Sequence, residues 1–326
     1  DSGKTAFLQA VQLASCLTAP EDRADLSERL EQLMERANVS EWYWRGQTKD
    51  SDIRFAVAAT RDGDSKQIRL VQGEGPTLAA ILSTAFDGKR ISERDDLVRY
   101  TPGLARRGMT EAGTWFQQVI GDARYTRFEP ELMRKPSPIR RPSDQPDFHI
   151  GTSGECFPTL LEDILRADRH AFGEMENAFY KRFPHYSGMR LPKVEDDNTL
   201  AFSTHGAKLS AASVSDGAIL YLGYLAMAYQ PSPPKILLIE EPENGVHPGS
   251  LKEIIKTLRK LPEDAGSQVI LTTHSPYLLD LVEPEEVRVF SKDKEGAVHA
   301  AKLSDHPEVE KMKKHFMTGE IWTELG

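Results

Sequence analysis

The last third of the chain alternates short apolar runs with helical ones, and this rhythm constrains the fold more than any other feature. "KILLIEEP" (235–242) is a continuous apolar run that Pro242 closes. "GSLKEIIKTLRKL" (249–261) has its apolar residues at helical spacing. "SQVILTTHSP" (267–276) is apolar again, "YLLDLV" (277–282) is helical, and "EVRVFSK" (286–292) is strand-like. A strand that is apolar throughout is buried on both faces, and a helical connection between two such strands makes them parallel. The expected fold class is therefore α/β with a mostly parallel sheet.

The rest of the chain is less regular. Residues 4–18 read as a helix with Phe7, Leu8 and Val11 on one face, ended by Pro20, and 25–37 as a second, charged helix. "DIRFAVAAT" (52–60) and "QIRLVQG" (67–73) read as strands around an "RDGD" turn. Residues 75–115 read as mixed and mostly helical, 136–155 as a surface loop rich in Pro, Ser and Gly, 157–183 as a long amphipathic helical stretch, and 209–230 as a helix, apolar after Ala218. Neither an internal repeat nor a sustained heptad pattern is present.

Four short motifs carry chemistry. The run 236–239 delivers two carboxylates, Glu240 and Glu241, to the C-terminal end of a strand, where open α/β sheets bind ligands. Adjacent strand residues face opposite ways, so one carboxylate can hold a hydrated Mg²⁺ while the other faces an attacking water; a solvated strand end is the bland alternative. His274, at the tip of the next strand and one strand–helix–strand unit later, can donate to a phosphate oxygen or position a water, or simply be exposed. Ser215-Asp216-Gly217 precedes the long apolar helix; the Ser or Asp is an ordinary N-cap, and the same geometry aims backbone N–H groups at an anion. Finally, the chain opens on Asp1-Ser2-Gly3-Lys4-Thr5 followed by a helix. Gly3-Lys4-Thr5 matches the end of the phosphate-loop pattern G-x-x-x-x-G-K-[ST], with the first glycine and a preceding strand expected upstream of Asp1. In such a loop the backbone N–H groups cradle phosphates, Lys4 reaches the β- and γ-phosphates, and the Thr5 hydroxyl ligates Mg²⁺.

In this order the four motifs resemble the ATP-binding-cassette ATPases. The likeness is to the RecF/SMC-like branch, with its stand-alone AAA-labelled ATPases and the ATPase half of the OLD family. "IEEPENGVHP" and "LTTHSP" are the most specific pieces, and the closing "DHPEVEKMKKHFMTGEIWTELG" resembles the tail of stand-alone, nuclease-associated members. The resemblance implies an ABC-ATPase-like P-loop fold with a helical or mixed insertion between the phosphate loop and the signature motif. It divides the chain into an N-terminal core part (1–75), an insertion (76–200) and a C-terminal core part (201–326). It implies ATP and Mg²⁺ as cofactors. Asp1, Ser2, Gly3, Lys4 and Thr5 would hold the nucleotide, with Thr5, Glu240 and Gln47 at the metal. Glu241 would be the base toward the attacking water, and His274 the switch histidine near the γ-phosphate. Ser215, Asp216 and Gly217 would be the signature that binds ATP held by a second subunit, so the implied state is a homodimer or higher homo-oligomer. The aromatic run Trp42-Tyr43-Trp44 beside Gln47 suits either stacking on adenine or a base, or core packing.

A net charge of −9 argues against a generally basic nucleic-acid binder. Any nucleic acid would have to meet local clusters, Arg106-Arg107, Arg134-Lys135 and Arg140-Arg141, which can equally be solvated surface. Two cysteines, Cys16 and Cys156, suggest neither a metal site nor a disulfide framework, which makes the cytoplasm the default location. No apolar run reaches the roughly 18 residues of a membrane span. Three jobs remain open. The first is an ATP-gated ATPase controlling a partner effector or nuclease in antiviral defence. The second is a RecF-like repair ATPase binding DNA by itself, and the third is an ATP-gated scaffold that barely hydrolyses. A transporter cassette is more distant.

Overall fold

The computed structural model describes backbone strands within residues 54–100, and residues 123–140, 150–292, 294 and 298–325. Asp1, Ser2, Gly3, Lys4, Thr5, Gln47, Trp42-Tyr43-Trp44 and Arg106-Arg107 lie outside the described residues. The chain divides into two units, Asp1–Arg124 with Lys292–Val298, and Tyr125–Ser291 with His299–Gly326.

In the first unit, β1 (Arg54–Arg61), β2 (Asp64–Gln72), β3 (Leu78–Ser83) and β4 (Asp96–Tyr100) form an antiparallel meander in that order. Arg61 pairs with Asp64, so β1 and β2 form the antiparallel pair expected of the two strands. β3 and β4 stand where the sequence reads as mostly helical. Short apolar runs such as "LAAIL" fit either period, and pairing with β2 decides the matter.

The second unit begins within β5 (Ala123–Thr126), at Tyr125, and continues with α1 (Pro130–Met133) and β6 (Ser137–Pro138), followed by α2 (Phe157–Ala167) and α3 (Arg169–Arg182). Short strands come next: β7 (Ser187–Arg190), β8 (Lys193–Val194), β9 (Asp197–Asn198), β10 (Ala201–Thr204) and β11 (Ala207–Ser210). Then follow α4 (Asp216–Tyr229), β12 (Ile236–Glu240), α5 (Pro248–Leu258), α6 (Lys260–Ala265), β13 (Gln268–Thr272) and α7 (Pro276–Leu279). β14 (Arg288–Lys292), β15 (Val298–Lys302), α8 (Val309–Met312) and α9 (Thr318–Leu325) complete it.

The fold class is as expected: α/β, with β12 and β13 parallel in register from Ile236↔Gln268 to Glu240↔Thr272, and β5 on the other side of β12. All of β12 is buried, which is why its sequence is apolar on both faces. α5 lays Leu251, Ile254, Ile255 and Leu258 into the core at helical spacing. α4 is different. Every residue from Ala218 to Met227 is buried, so this helix is the centre of the unit, packed against α1, α2, α3 and α5.

Four local expectations change. The stretch 157–183 is two helices, because Asp168 leaves helical geometry (φ −150°, ψ 99°) and caps α3 by accepting from the His170 and Ala171 amides. Those amide bonds, Ala171 first, hold its carboxyl below the usual range. Residues 209–230 begin as β11 and a 3₁₀ turn (Ala211–Ser213), with α4 starting only at Asp216. The segment read as a surface loop has buried ends. Ser137 is fully buried and lies 2.8 Å from the Thr159 hydroxyl, and Ile150 and Ser153 are buried as well. β14 leaves the parallel sheet and pairs with β15 in a two-stranded sheet. Among the described residues no helix is long and apolar enough to cross a membrane.

Candidate functional site

The tips of β12 and β13 lie side by side. The last paired residues are Glu240 and Thr272, and the Glu241 amide continues the ladder by donating to the Thr272 carbonyl at 3.0 Å. The two consecutive carboxylates therefore part. Glu240, still in the strand, is 8% exposed. Its carboxylate accepts a hydrogen bond from the Tyr125 hydroxyl and lies 3.7 Å from the Arg127 guanidinium. Tyr125 and Arg127, two residues apart at the end of β5, reach the same carboxylate because alternate strand residues share a face.

Glu241 turns the other way. Its φ of +44° places it in the left-handed region, which non-glycine residues seldom occupy. A strained residue at a strand tip is held there by its surroundings. Here they are the Thr272 ladder bond and the Asn244 side-chain amide, which donates to the Glu241 carboxylate at 2.7 Å. His274 Nε2 lies 3.7 Å from Glu241 Oε1, and both side chains are accessible. The structure thus brings together Glu240, Glu241 and His274.

Glu243 ties the two tips. One of its carboxylate oxygens accepts from the Thr273 hydroxyl at 2.6 Å and from the His274 amide at 3.0 Å. The other is buried without a hydrogen-bond partner. The tetrapeptide Glu240-Glu241-Pro242-Glu243 thus assigns its three carboxylates to three settings. His247 caps α5 through its ring Nδ1, which accepts from the Gly249 amide at 3.0 Å, with Arg182 against the same nitrogen at 3.3 Å.

Ser215-Asp216-Gly217 sits where the sequence places it, at the start of a buried helix. Ser215 occupies the N-cap position of α4 without a side-chain capping bond, and Asp216 is in the first turn. A Cβ on Gly217 would lie 3.2 Å from the Gly245 carbonyl, so the turn packs against the loop that follows Glu241. Arg134 is committed to this turn and not to solvent. Its side chain, 9% exposed, pairs with Asp216, and it donates to the Val214 carbonyl at 2.8 Å. Arg140 pairs with the buried Asp163 at 2.6 Å. Two arginines of the expected basic clusters thus serve the interior.

Tyr125, Arg127 and Glu243 are the residues that sequence reasoning missed, and Arg134 it read only as part of a basic cluster. The alternation "YTR" ahead of Phe128 was the available signal for the first two, and Glu243 was visible within "EEPE". A Mg²⁺ ion is held in proteins by one or two carboxylates with substrate phosphates and waters. Glu240, a buried carboxylate at the binding edge of a parallel pair, fits that requirement.

Residues 124–280 match the family model described as "AAA domain, putative AbiEii toxin, Type IV TA system". No curated protein matches the sequence. Among solved structures, an SMC head bound to the C-terminal winged-helix domain of ScpA is 14% identical with a TM-score of 0.43 and 76% of each chain covered. The SMC head domain from Thermotoga maritima is 11% identical with a TM-score of 0.34 and 74% of each chain covered. A structure from work on ATP-driven dimerization and DNA-stimulated activation of SMC ATPases is 13% identical with a TM-score of 0.33, covering 49% of this chain and 97% of that one. The matched stretch falls just short of half of the chain, and its description is that of an AAA domain.

Proposed function

We propose that this chain binds and hydrolyses ATP at the edge formed by the tips of β12 and β13, and that two copies close on the nucleotide. The observation that carries the reading is the divergence of Glu240 and Glu241, with His274 opposite the second carboxylate.

Phosphoryl transfer asks the protein mainly for positioning and for charge stabilisation. Lys4 and the Asp1-Ser2-Gly3-Lys4-Thr5 segment hold the phosphates. Glu240, with Thr5 and Gln47, holds Mg²⁺, which supplies neutralisation of phosphate charge when bound. Tyr125 orients the Glu240 carboxylate. Glu241 polarises the water that attacks the γ-phosphorus in line, and takes its proton. The accessible His274 imidazole, 3.7 Å from Glu241, supplies the donor to a γ-phosphate oxygen or to that water. Ser215, Asp216 and Gly217 face the ATP held by the second copy, making a homodimer or higher homo-oligomer that opens on hydrolysis. The chain's partner is an effector or nuclease in antiviral defence, a role in keeping with the toxin–antitoxin description of the matching family. Direct DNA binding, as in a RecF-like repair ATPase, is the weaker reading, because Arg134 and Arg140 are engaged within the unit.

The test uses the full-length protein. ATP turnover is expected to vanish in Lys4→Ala, and Glu241→Gln is expected to bind ATP and accumulate as a dimer in sedimentation. Wild-type turnover in both variants refutes the assignment. A wild-type protein that dimerises with ATP without releasing phosphate is instead the non-hydrolysing scaffold.

A further inference from the structure

We infer that Arg134 is the positioning residue of the Ser215-Asp216-Gly217 turn, and that its guanidinium keeps the Asp216 carboxylate from opposing an incoming phosphate; this rests on the proposed role of that turn.

Arg134 directly follows α1, and α1 is anchored. Met133 is fully buried in a slot cut by two glycines. A Cβ on Gly154 would lie 2.3 Å from Met133 Cγ, and one on Gly223, within α4, 2.4 Å from Met133 Cε. The side chain before Arg134 is thereby locked against α4 itself. From this fixed base the guanidinium spreads over the segment that leads into α4. Nε donates to the Ala211 carbonyl at 3.2 Å, Nη2 donates to the Val214 carbonyl at 2.8 Å, and Nη2 pairs with Asp216. Nη1 completes the fork on Glu131 at 3.3 Å. A guanidinium holds its donors in a fixed planar fork that spans three acceptors of one turn, whereas the three donors of an ammonium radiate from a single atom.

Charge explains why the anchor is an arginine. The N-terminus of a helix attracts an anion. Asp216, exposed in the first turn of α4, is itself an anion at that end. Left uncompensated, it satisfies the helix and repels a phosphate. Paired with a largely buried guanidinium, its charge is offset at the turn, while the second carboxylate on that guanidinium, Glu131, is 88% exposed and screened by solvent. Ser215 is exposed and makes no side-chain capping bond, while its own amide donates to the Tyr186 hydroxyl at 3.4 Å.

The experiment takes the full-length protein with Glu241→Gln as parent. It measures the ATP·Mg²⁺-dependent dimer dissociation constant by sedimentation, and nucleotide binding to the monomer with a fluorescent ATP analogue. Arg134→Ala is expected to weaken the dimer by about tenfold or more, with monomer binding changed less than about twofold, because the turn acts on the other copy's nucleotide. Adding Asp216→Asn to Arg134→Ala restores part of the loss, whereas Arg134→Lys keeps a defect. Should Arg134→Ala fail to fold, Arg134→Gln, which keeps a donor and drops the charge, answers the same question and should also be rescued by Asp216→Asn. A dimer as tight as the parent's overturns the inference alone, as does a loss that Asp216→Asn leaves untouched. A parent that forms no ATP-dependent dimer overturns the proposed function and this inference with it.

Discussion

Gly319 offers the sharpest test of the packing around the His274 tip. It is the second residue of α9, where helix propensity favours alanine by about 1 kcal/mol. The structure predicts the opposite sign. A Cβ there would sit 2.2 Å from the Pro276 carbonyl oxygen and 2.8 Å from Asp280 Oδ1. The first obstacle is backbone and cannot rotate away. The Gly319 amide also donates to the Asp280 carboxylate at 2.8 Å, and the Thr318 hydroxyl to the Val282 carbonyl at 2.7 Å, so any retreat of α9 stretches these bonds. Overpacking typically costs about 1–3 kcal/mol and loss of a hydrogen bond to a charged group about 1.5–3 kcal/mol. Setting the propensity gain against these leaves Gly319→Ala destabilised by about 3 kcal/mol, which for a unit of about 200 residues lowers the midpoint by about 6–12 °C. The assay is thermal unfolding followed by circular dichroism, with Glu324→Ala as the control. Glu324 lies in the same helix and is exposed, so its midpoint should hold. Phosphate release should fall as well, since Pro276 follows His274 by two residues. A Gly319→Ala midpoint equal to or above wild type refutes the reasoning.

Two further outcomes follow from buried carboxylates. Tyr125→Phe removes the hydroxyl that donates to Glu240 and should cost about 2 kcal/mol in urea unfolding while raising the Mg²⁺ concentration needed for half-maximal turnover; an unchanged Mg²⁺ dependence removes Tyr125 from the metal site. Burial pushes the Asp163 carboxyl up against the opposing pull of Arg140, so its ionisation opposes folding. This penalty is absent below the ordinary aspartate range near pH 4 and grows until the raised value is passed. Wild type should therefore lose stability relative to Asp163→Asn as pH rises through that window, and a loss in the other direction contradicts the burial argument.

What the sequence shows of the fold is what local physics decides. β12, α5 and β13 are legible because each carries its period in a few consecutive residues, and their parallel pairing follows from the helix between them. The break at Asp168 was legible in principle, since an aspartate within an amphipathic run is an N-cap signal, but apolar residues at helical spacing continue on both sides and mask it. β14 shows the limit. Val287, Val289 and Phe290 predict a strand correctly, yet nothing in five residues tells a strand which neighbour it will choose, and it pairs with β15. β5 is shorter still, with too few residues to show a period, and it matters because it brings Tyr125 to Glu240.

The same division runs through the site. Glu240, Glu241 and His274 could be named because a strand end followed by a proline is a local statement, and one strand–helix–strand unit places two such ends together. Arg134 could not. In sequence it is a basic residue ahead of "KPSPIRRP", indistinguishable from a solvated cluster, and the groups that make it interior are two carbonyls and a carboxylate some eighty residues away. A charge becomes interior only when its acceptors are already fixed, and here they are fixed by α4, the most buried helix of the unit. The anchoring of Met133 between Gly154 and Gly223 supplies the other half of that arrangement. A long-range acceptor set of this kind also explains why charge counts mislead. Arg134 and Arg140 add to the basic total, but each is paired with a named carboxylate, Asp216 at the surface turn and Asp163 in the interior. Both guanidiniums are committed to contacts within the unit before any nucleic acid could read them.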